Sequence, residues 1–220
     1  MAKRRGPPPA AEEEDWLTTY ADAITLLMAF FVMLVSFSKV DLPAFEEAMA
    51  GIKNELGREE APKRPMFTLA QNLNSILEEV QIDQDEVQTG FDSAGVVIDF
   101  ESGSFFKPGS AELLPAAKKI LVEIAYELSQ PPYDLYFVDV EGHTDDAPIN
   151  TPQFPSNWEL STARATGVVR FLIEADVQPE RLKASGYADV KPKLPNTDLF
   201  GEPLPENRKK NRRISIRLHP

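Results

Sequence analysis

The chain has no cysteine, which excludes disulfides, thiolate metal sites and attachment of lipid to an N-terminal cysteine. A domain exported from such a chain has to be held together by its core alone. Histidine is nearly absent, with only His143 and His219, and two imidazoles without a thiolate argue against a zinc site. The 11 glycines form no phosphate loop, and no serine sits in a nucleophile elbow. Asp145 and Asp146 are sequence neighbours, which does not establish the facing carboxylates a glycosidase needs. These absences lead us to expect no enzyme, no cofactor and no bound metal. Positive charge is also scarce: 23 Lys and Arg face 35 Asp and Glu, for a net charge of -12. Such a surface does not suit nucleic acid, which needs clustered cations. The basic residues that do cluster lie at the two ends, Lys3 to Arg5 and Arg208 to Arg213.

Long apolar runs are represented once. From Trp16 to Lys39 the sequence reads WLTTYADAITLLMAFFVMLVSFSK, and no residue between Asp22 and Lys39 is charged. Roughly 23 residues at ~1.5 Å each make a helix of about 35 Å, enough to cross a bilayer. Lys3, Arg4 and Arg5 precede the run, whereas Lys39 is mixed with Asp41, Glu46 and Glu47 after it. By the positive-inside rule residues 1–15 are expected to form a cytoplasmic tail, residues 16–39 a single membrane-spanning helix, and the remainder an exported portion. A cleaved signal peptide is the rival reading, disfavoured by the length of the run, the acidic residues 12–15 and the interruption at Asp22.

An unpaired carboxylate in lipid costs several kcal/mol, so Asp22 requires headgroup solvation or a partner helix. If it faces a partner, desolvation raises a carboxyl pKa towards values where charged and neutral forms interconvert. Thr25, Ala29 and Ser36 fall near its face and form a small, polar stripe suited to close helix packing. Residues 41–56 predict an amphipathic helix with Leu42, Phe45, Met49, Ile52 and Leu56 on one side, Asp41 as N-cap and Pro43 in the first turn. It would lie on the membrane, dock on a partner or pair with its own copy. Residues 57–65, GREEAPKRP, read as a linker.

Residues 66–220 carry the pattern of one α/β unit. The apolar spacing predicts helices from Phe67 to Val80, Ser110 to Ser129 and Asn157 to Ala175. It predicts strands over Glu86–Phe91, Gly95–Phe100, Leu135–Glu141, Leu182–Tyr187 and Arg213–Leu218. Strands alternating with helices give a layered sheet with helices on one face. The strand LYFVDVE runs into Gly142-His143-Thr144-Asp145, and Ser156-Asn157 opens a helix that carries Arg164 two turns along. Asp145 and Arg164 therefore converge either as a structural ion pair or as a site for a zwitterion, in which the guanidinium grips a carboxylate and the acid an ammonium.

Taken together, these motifs resemble the B subunit of bacterial flagellar stators, the MotB/PomB family. WLTTYADAITLLMAFFVMLVSFSKVD is similar to that family's transmembrane helix, with Asp22 at its ion-carrying position and Thr25 and Ser36 beside the ion path. LPAFEEAMAGIKNEL is similar to its plug. VEGHTDDAPI, SNWELSTARA, SGYAD and NRRISIRL are similar to an OmpA-like peptidoglycan-binding domain. The resemblance implies a βαβαβ α/β (α+β) domain with a mixed sheet and helices packed on one face. It implies contacts to the diaminopimelate of peptidoglycan from Asp145 and Arg164, with Thr144, Asn157 and Leu160 shaping the site and Arg213 contributing. It further implies a polytopic A subunit (MotA/PomA-like), a homodimer, and a transported cation, H+ or Na+. The SFSKVD ending and Thr25 stand closer to the sodium type. Two alternatives remain: a passive membrane-anchored peptidoglycan tether, and a stator-like ion motor outside flagella.

Overall fold

The computed structural model describes residues 15–37, 65–80, 86–92 and 95–220, in two units divided after Val40. The N-terminal tail and residues 38–64, with the amphipathic segment 41–56 and its Leu42, Phe45, Met49, Ile52 and Leu56, lie outside the described residues.

The first unit is helix α1, Asp15–Phe37, of which Trp16–Ser36 is long and apolar enough to cross a membrane. Its large apolar side chains are exposed all round, from Leu26 and Met28 to Phe31 and Val35. A helix that exposes so many large apolar side chains is stable only in lipid or against other helices. The hydroxyls of Thr19 and Thr25 donate back to the carbonyls of Trp16 (3.1 Å) and Asp22 (2.9 Å). Such local bonding hides hydroxyls that hydrocarbon would otherwise leave unsatisfied.

The second unit contains α2 (Pro65–Glu79), β1 (Val87–Phe91), β2 (Val96–Glu101), α3 (Ser102–Phe105) and α4 (Pro115–Leu128). It continues with β3 (Phe137–Gly142), α5 (Asn157–Glu174), β4 (Leu182–Gly186), α6 (Pro205–Asn211) and β5 (Arg213–His219). The sheet has the order β1-β2-β5-β3-β4; β3 and β4 are parallel and the other pairs antiparallel. The parallel pair arises because α5 carries the chain back across the sheet, as a β-α-β connection requires. Alternation does the rest. Val96, Ile98, Phe100, Val140, Ile214 and Ile216 face the core with Leu69 and Leu73 of α2, Leu121 and Ile124 of α4, and Val168 and Leu172 of α5. Truncating any of these core leucines to alanine costs about 2–5 kcal/mol. The intervening residues, including Asp99, Glu141, Ser215 and Arg217, form a polar face on the other side.

Three sequence expectations need correction. The helix expected from Ser110 begins only at Pro115: Leu114 is extended (φ -69°, ψ 153°), as the residue before proline prefers, and Leu113 bridges to Phe106. The strand expected from Leu135 starts at Phe137, because Tyr133–Leu135 form a 3-10 turn that leaves Leu135 exposed. The short helices α3 and α6 were not foreseen, since neither is long enough to show a helical period.

Two glycines set the position of α5. A Cβ on Gly142 would lie 2.1 Å from the Ser161 carbonyl oxygen, and one on Gly186 would lie 2.1 Å from the Thr162 hydroxyl. The absent side chains let the first turns of α5 approach the ends of β3 and β4, which puts Asn157, Leu160 and Arg164 over the loop that follows β3.

Candidate functional site

The loop after β3 is fixed by its own backbone partners. His143 N donates to the Arg213 carbonyl (3.0 Å) and Thr144 N to the Ala188 carbonyl (2.8 Å). The Thr144 hydroxyl donates to the Asp145 carbonyl (2.9 Å), and the Asn157 amide donates to the carbonyls of Asp145 (3.2 Å) and Ala147 (3.0 Å). Ser156 caps α5: its hydroxyl accepts from Trp158 N (3.2 Å) and donates to the Glu159 carboxylate (2.5 Å). Thr144 and Asn157 thus act chiefly by holding the loop in shape.

A cavity of about 490 Å³ opens beside this loop, lined by Thr144, Asp145, Asn157, Leu160 and Arg164 together with Phe106, Ile149, Lys209 and Arg212. Arg164 is 5% exposed. Its Nε donates to the Ser110 carbonyl (2.8 Å) and its Nη1 to the Ser102 hydroxyl (2.8 Å), while the guanidinium lies 5.1 Å from the Phe106 ring centre. Burial, and next the charge of Arg212, lower its pKa to about 10, against the opposing pull of Asp145. It therefore stays charged at neutral pH, yet no carboxylate pairs with it among the described residues. A buried guanidinium held by neutral acceptors is a prepared site for an anion, bidentate carboxylates above all.

Asp145 and Arg164 share the cavity without pairing. The partner of Asp145 is Arg212, whose Nη1 lies 2.6 Å from Oδ2. Ala147 N donates to the other carboxylate oxygen at 3.3 Å. Lys209 and Glu101 pair at 3.1 Å on the rim. With those two pairs closed, Arg164 is left as the uncompensated charge of the cavity.

The structure does not bring Arg213 to this place. Arg212 caps α6 and its side chain reaches the cavity, whereas Arg213 opens β5 and alternation turns it to the polar face of the sheet. There Arg213 Nε is 3.8 Å from Asp99 and burial lowers its pKa. Asn211, just before the two arginines, is fully buried and ties the preceding loop: Oδ1 accepts from Lys193 N (2.8 Å) and Leu194 N (2.9 Å). Ser102, Ser110 and Phe106, which hold Arg164, carry no sequence signal of that role, because they meet it only in the folded chain.

The polar sheet face has a larger hollow, of about 950 Å³, but most of its charges pair with one another. Arg217 bonds Asp92 and Glu141 (both 2.5 Å), and Lys193 bonds Asp99 (2.6 Å) and Gln88 (2.7 Å). Burial acts to raise the Glu141 pKa, yet His143 and Arg217 overcome it and bring the value down to about 2. The smaller cavity, with its unmatched cation, is the candidate site. Among the described residues no group of three His, Asp or Glu side chains is arranged to hold a metal ion.

Two parts of the chain match known families. Residues 105–212 match the OmpA family, and residues 2–56 match the family described as membrane MotB of the proton-channel complex MotA/MotB. The chain is 33% identical over 219 residues to the uncharacterized protein YtxE of Bacillus subtilis, covering 91% of this chain and 86% of that one. The chain belongs to the MotB family. Motility protein B of B. subtilis is 28% identical over 251 residues, with 94% and 91% of the two chains covered. The cell wall anchor of the T6SS from Pseudomonas aeruginosa superposes with a TM-score of 0.58 at 29% identity, over 71% of this chain and 99% of that one. Most of the cavity lining lies within the stretch that matches the OmpA family, and Asp22 lies within the stretch that matches the membrane MotB family.

Proposed function

We propose that the chain is the B subunit of an ion-driven motor, fixed to peptidoglycan by its OmpA-like domain and carrying a cation on Asp22 at an interface with a polytopic A subunit. The observation that carries the anchoring half is the buried, uncompensated Arg164 in the same cavity as Asp145. The terminal carboxylate and ammonium of a diaminopimelyl side chain suit that arrangement: the carboxylate on the outer edge of Arg164, the ammonium beside Asp145 where it shares the acid with Arg212. Binding needs no cofactor, and the cavity wall of Phe106, Leu160 and Ile149 takes the methylenes between the two charges.

The motor half rests on one acid in an otherwise uncharged span. A cation moving through the membrane potential releases ~2.3 kcal/mol per 100 mV. Neutralising and recharging Asp22 changes how α1 packs against neighbouring helices, and anchoring to the wall turns that change into torque. The N-terminus is cytoplasmic and the OmpA-like domain periplasmic in this reading, with two copies of the chain per unit. H+ and Na+ both suit a lone carboxylate beside Thr25. The decisive experiment is Asp22→Asn in the producing cell: the protein is expected to insert and to bind sacculi while ion flux and motion cease, and preserved motion would overturn the motor half.

A second reading, a passive wall tether, is favoured by the likeness to the T6SS cell wall anchor. It differs in predicting indifference to Asp22→Asn and no polytopic partner in pull-downs from membranes.

A further inference from the structure

The connection between β4 and α6 carries a turn whose two outermost side chains have no place in the core or the cavity. Leu199 is 100% exposed and Phe200 92%. Outside α1, no other adjacent pair of large apolar residues among the described residues stands so far into solvent. The turn beneath them is firmly built. Asp198 Oδ1 accepts from Phe200 N (2.8 Å) and Glu202 N (2.9 Å), Asp198 N donates to the Glu202 carbonyl (2.8 Å), and Gly201 N, at φ +86°, donates to the Asp198 carbonyl (3.2 Å). Thr197 and Pro203 bridge below it, and Leu204 N donates to the Asn196 carbonyl (2.9 Å). The base is tied to the buried Asn211, whose Nδ2 donates to the Leu194 carbonyl (2.7 Å) and to Asn196 Oδ1 (2.8 Å). Two large apolar side chains left in water forgo the free energy of burial, and a fixed backbone removes in advance the ordering cost of burying them elsewhere.

Four features of the tip point to what covers it. Its area is small: one phenylalanine and one leucine side chain offer about half of the ~800 Å² per partner that a stable protein interface buries. A bilayer needs no matching surface, so a few inserted side chains suffice. The tip backbone is fit for hydrocarbon, since the N–H groups of Phe200, Gly201 and Glu202 are bonded within the turn and carry no demand for water into lipid. Lipid is also at hand: α1 is long and apolar enough to cross a membrane, and residues 38–64 join it to the domain by at most about 95 Å of chain. Tethered in this way, a contact too weak to hold a free protein on a bilayer becomes populated. The charges set the kind of lipid. Residues 197–203 contain no Lys or Arg, Asp198 is used inside the turn and Glu202 is exposed, so the tip has nothing to offer anionic headgroups. We propose that the Leu199–Phe200 turn docks on the membrane that holds α1, inserting both side chains among the acyl chains just below zwitterionic headgroups. The domain thereby gains a reversible hold on the lipid surface besides its covalent link. The inference rests on α1 lying in a membrane, as in the reading above, and on neither ion transport nor wall binding.

Fluorescence of the full chain reconstituted in vesicles tests it. The chain has two tryptophans, so Phe200→Trp combined with Trp16→Phe and Trp158→Phe leaves a single indole, placed at the tip. In phosphatidylcholine vesicles the emission is expected to shift to the blue, and replacing the lipid by phosphatidylcholine brominated in its acyl chains should quench it. Adding Leu199→Ser should lower the ratio of quenched to unquenched indole roughly tenfold. Because Leu199 is fully exposed, that substitution should leave the melting temperature unchanged. Including phosphatidylglycerol should not increase quenching. An indole that stays unquenched in vesicles with which the chain floats overturns the docking and leaves the membrane reading of α1 in place. Shielding that grows with the protein-to-lipid ratio, without quenching by brominated lipid, overturns it in favour of a contact between copies. Quenching that appears only with phosphatidylglycerol and vanishes in high salt also overturns it. If the chain does not float with vesicles at all, the membrane reading of α1 falls and the docking with it.

Discussion

Arg212 holds Asp145, with Nη1 and Oδ2 2.6 Å apart, while Arg164 stands in the same cavity with neutral partners only. Two guanidinium groups and one carboxylate thus share a small space. The carboxylate is already engaged, so an incoming ammonium shares it, and an incoming carboxylate meets two cations.

Replacing Arg212 with Gln should weaken binding of the stem tripeptide L-Ala–D-Glu–meso-diaminopimelate roughly three- to tenfold, as loss of one charge-assisted hydrogen bond would. Stability should change by less than about 1 kcal/mol, because the side chain is 43% exposed. Arg213→Gln should do the reverse, leaving tripeptide affinity intact and lowering the melting temperature. Titration and thermal unfolding of both variants check this, and equal losses of affinity would contradict the placement of the two arginines.

Arg164→Ala should abolish sedimentation of the solubilised protein with isolated sacculi. The control is Arg164→Lys, which retains charge but not the planar fork and should bind at least tenfold more weakly than wild type. Wild-type sedimentation by either variant would remove Arg164 from the site.

Gly142→Ala places a Cβ where the Ser161 carbonyl now lies. Overpacking of this kind costs typically ~1–3 kcal/mol, and here it pushes α5 off the sheet, so affinity should fall with stability. Denaturant unfolding together with tripeptide titration distinguishes this from a purely local effect. Gly90→Ala, with open space at its Cβ, serves as the neutral comparison.

Acid should loosen the polar sheet face. Glu141 ionises at about 2 in the fold, below its ordinary value of 4.5. Its stabilisation is complete above the unfolded pKa of ~4.3 and is lost as pH falls towards 2. His143 is lowered mainly by burial, so its neutral form is favoured; that contribution is present above ~6.5 and declines below it as the unfolded chain takes up a proton. Melting temperature measured from pH 8 to pH 2 should fall in both windows, and Glu141→Gln should flatten the lower one. An unchanged lower slope in that variant would assign acid sensitivity elsewhere.

Arg181 is buried and donates to the carbonyls of Leu128, Tyr133 and Tyr136, which closes the end of α4 onto the start of β3. Arg181→Met should cost about 2–4 kcal/mol in denaturant unfolding, from three carbonyls left dry, without altering tripeptide affinity.

Much of the fold was readable because its signals are periodic. The α5 stripe of Leu160, Val168 and Leu172 and the alternation of Ile214, Ile216 and Leu218 announce their burial directly. Asp145 and Arg164 were legible as residues of one cavity, since a strand end and the next helix start are brought together by the β-α-β connection. Their lack of a mutual pair was not legible, because Arg212 lies 67 residues beyond Asp145 in sequence. The choice between Arg212 and Arg213 depends on where α6 stops and β5 begins, a boundary of one residue. The helix start at Pro115 shows the same limit: the apolar spacing runs on through Leu113, but the backbone ahead of proline does not.

The grip on Arg164 also bears on mechanical strength. A pull on a ligand held there is divided at once between α5, the Ser110 turn and Ser102 at the start of α3, so tension passes into three segments of the chain instead of one. A wall attachment loaded in this way resists tearing by sharing force, and its rupture should begin at the ligand before any strand peels away.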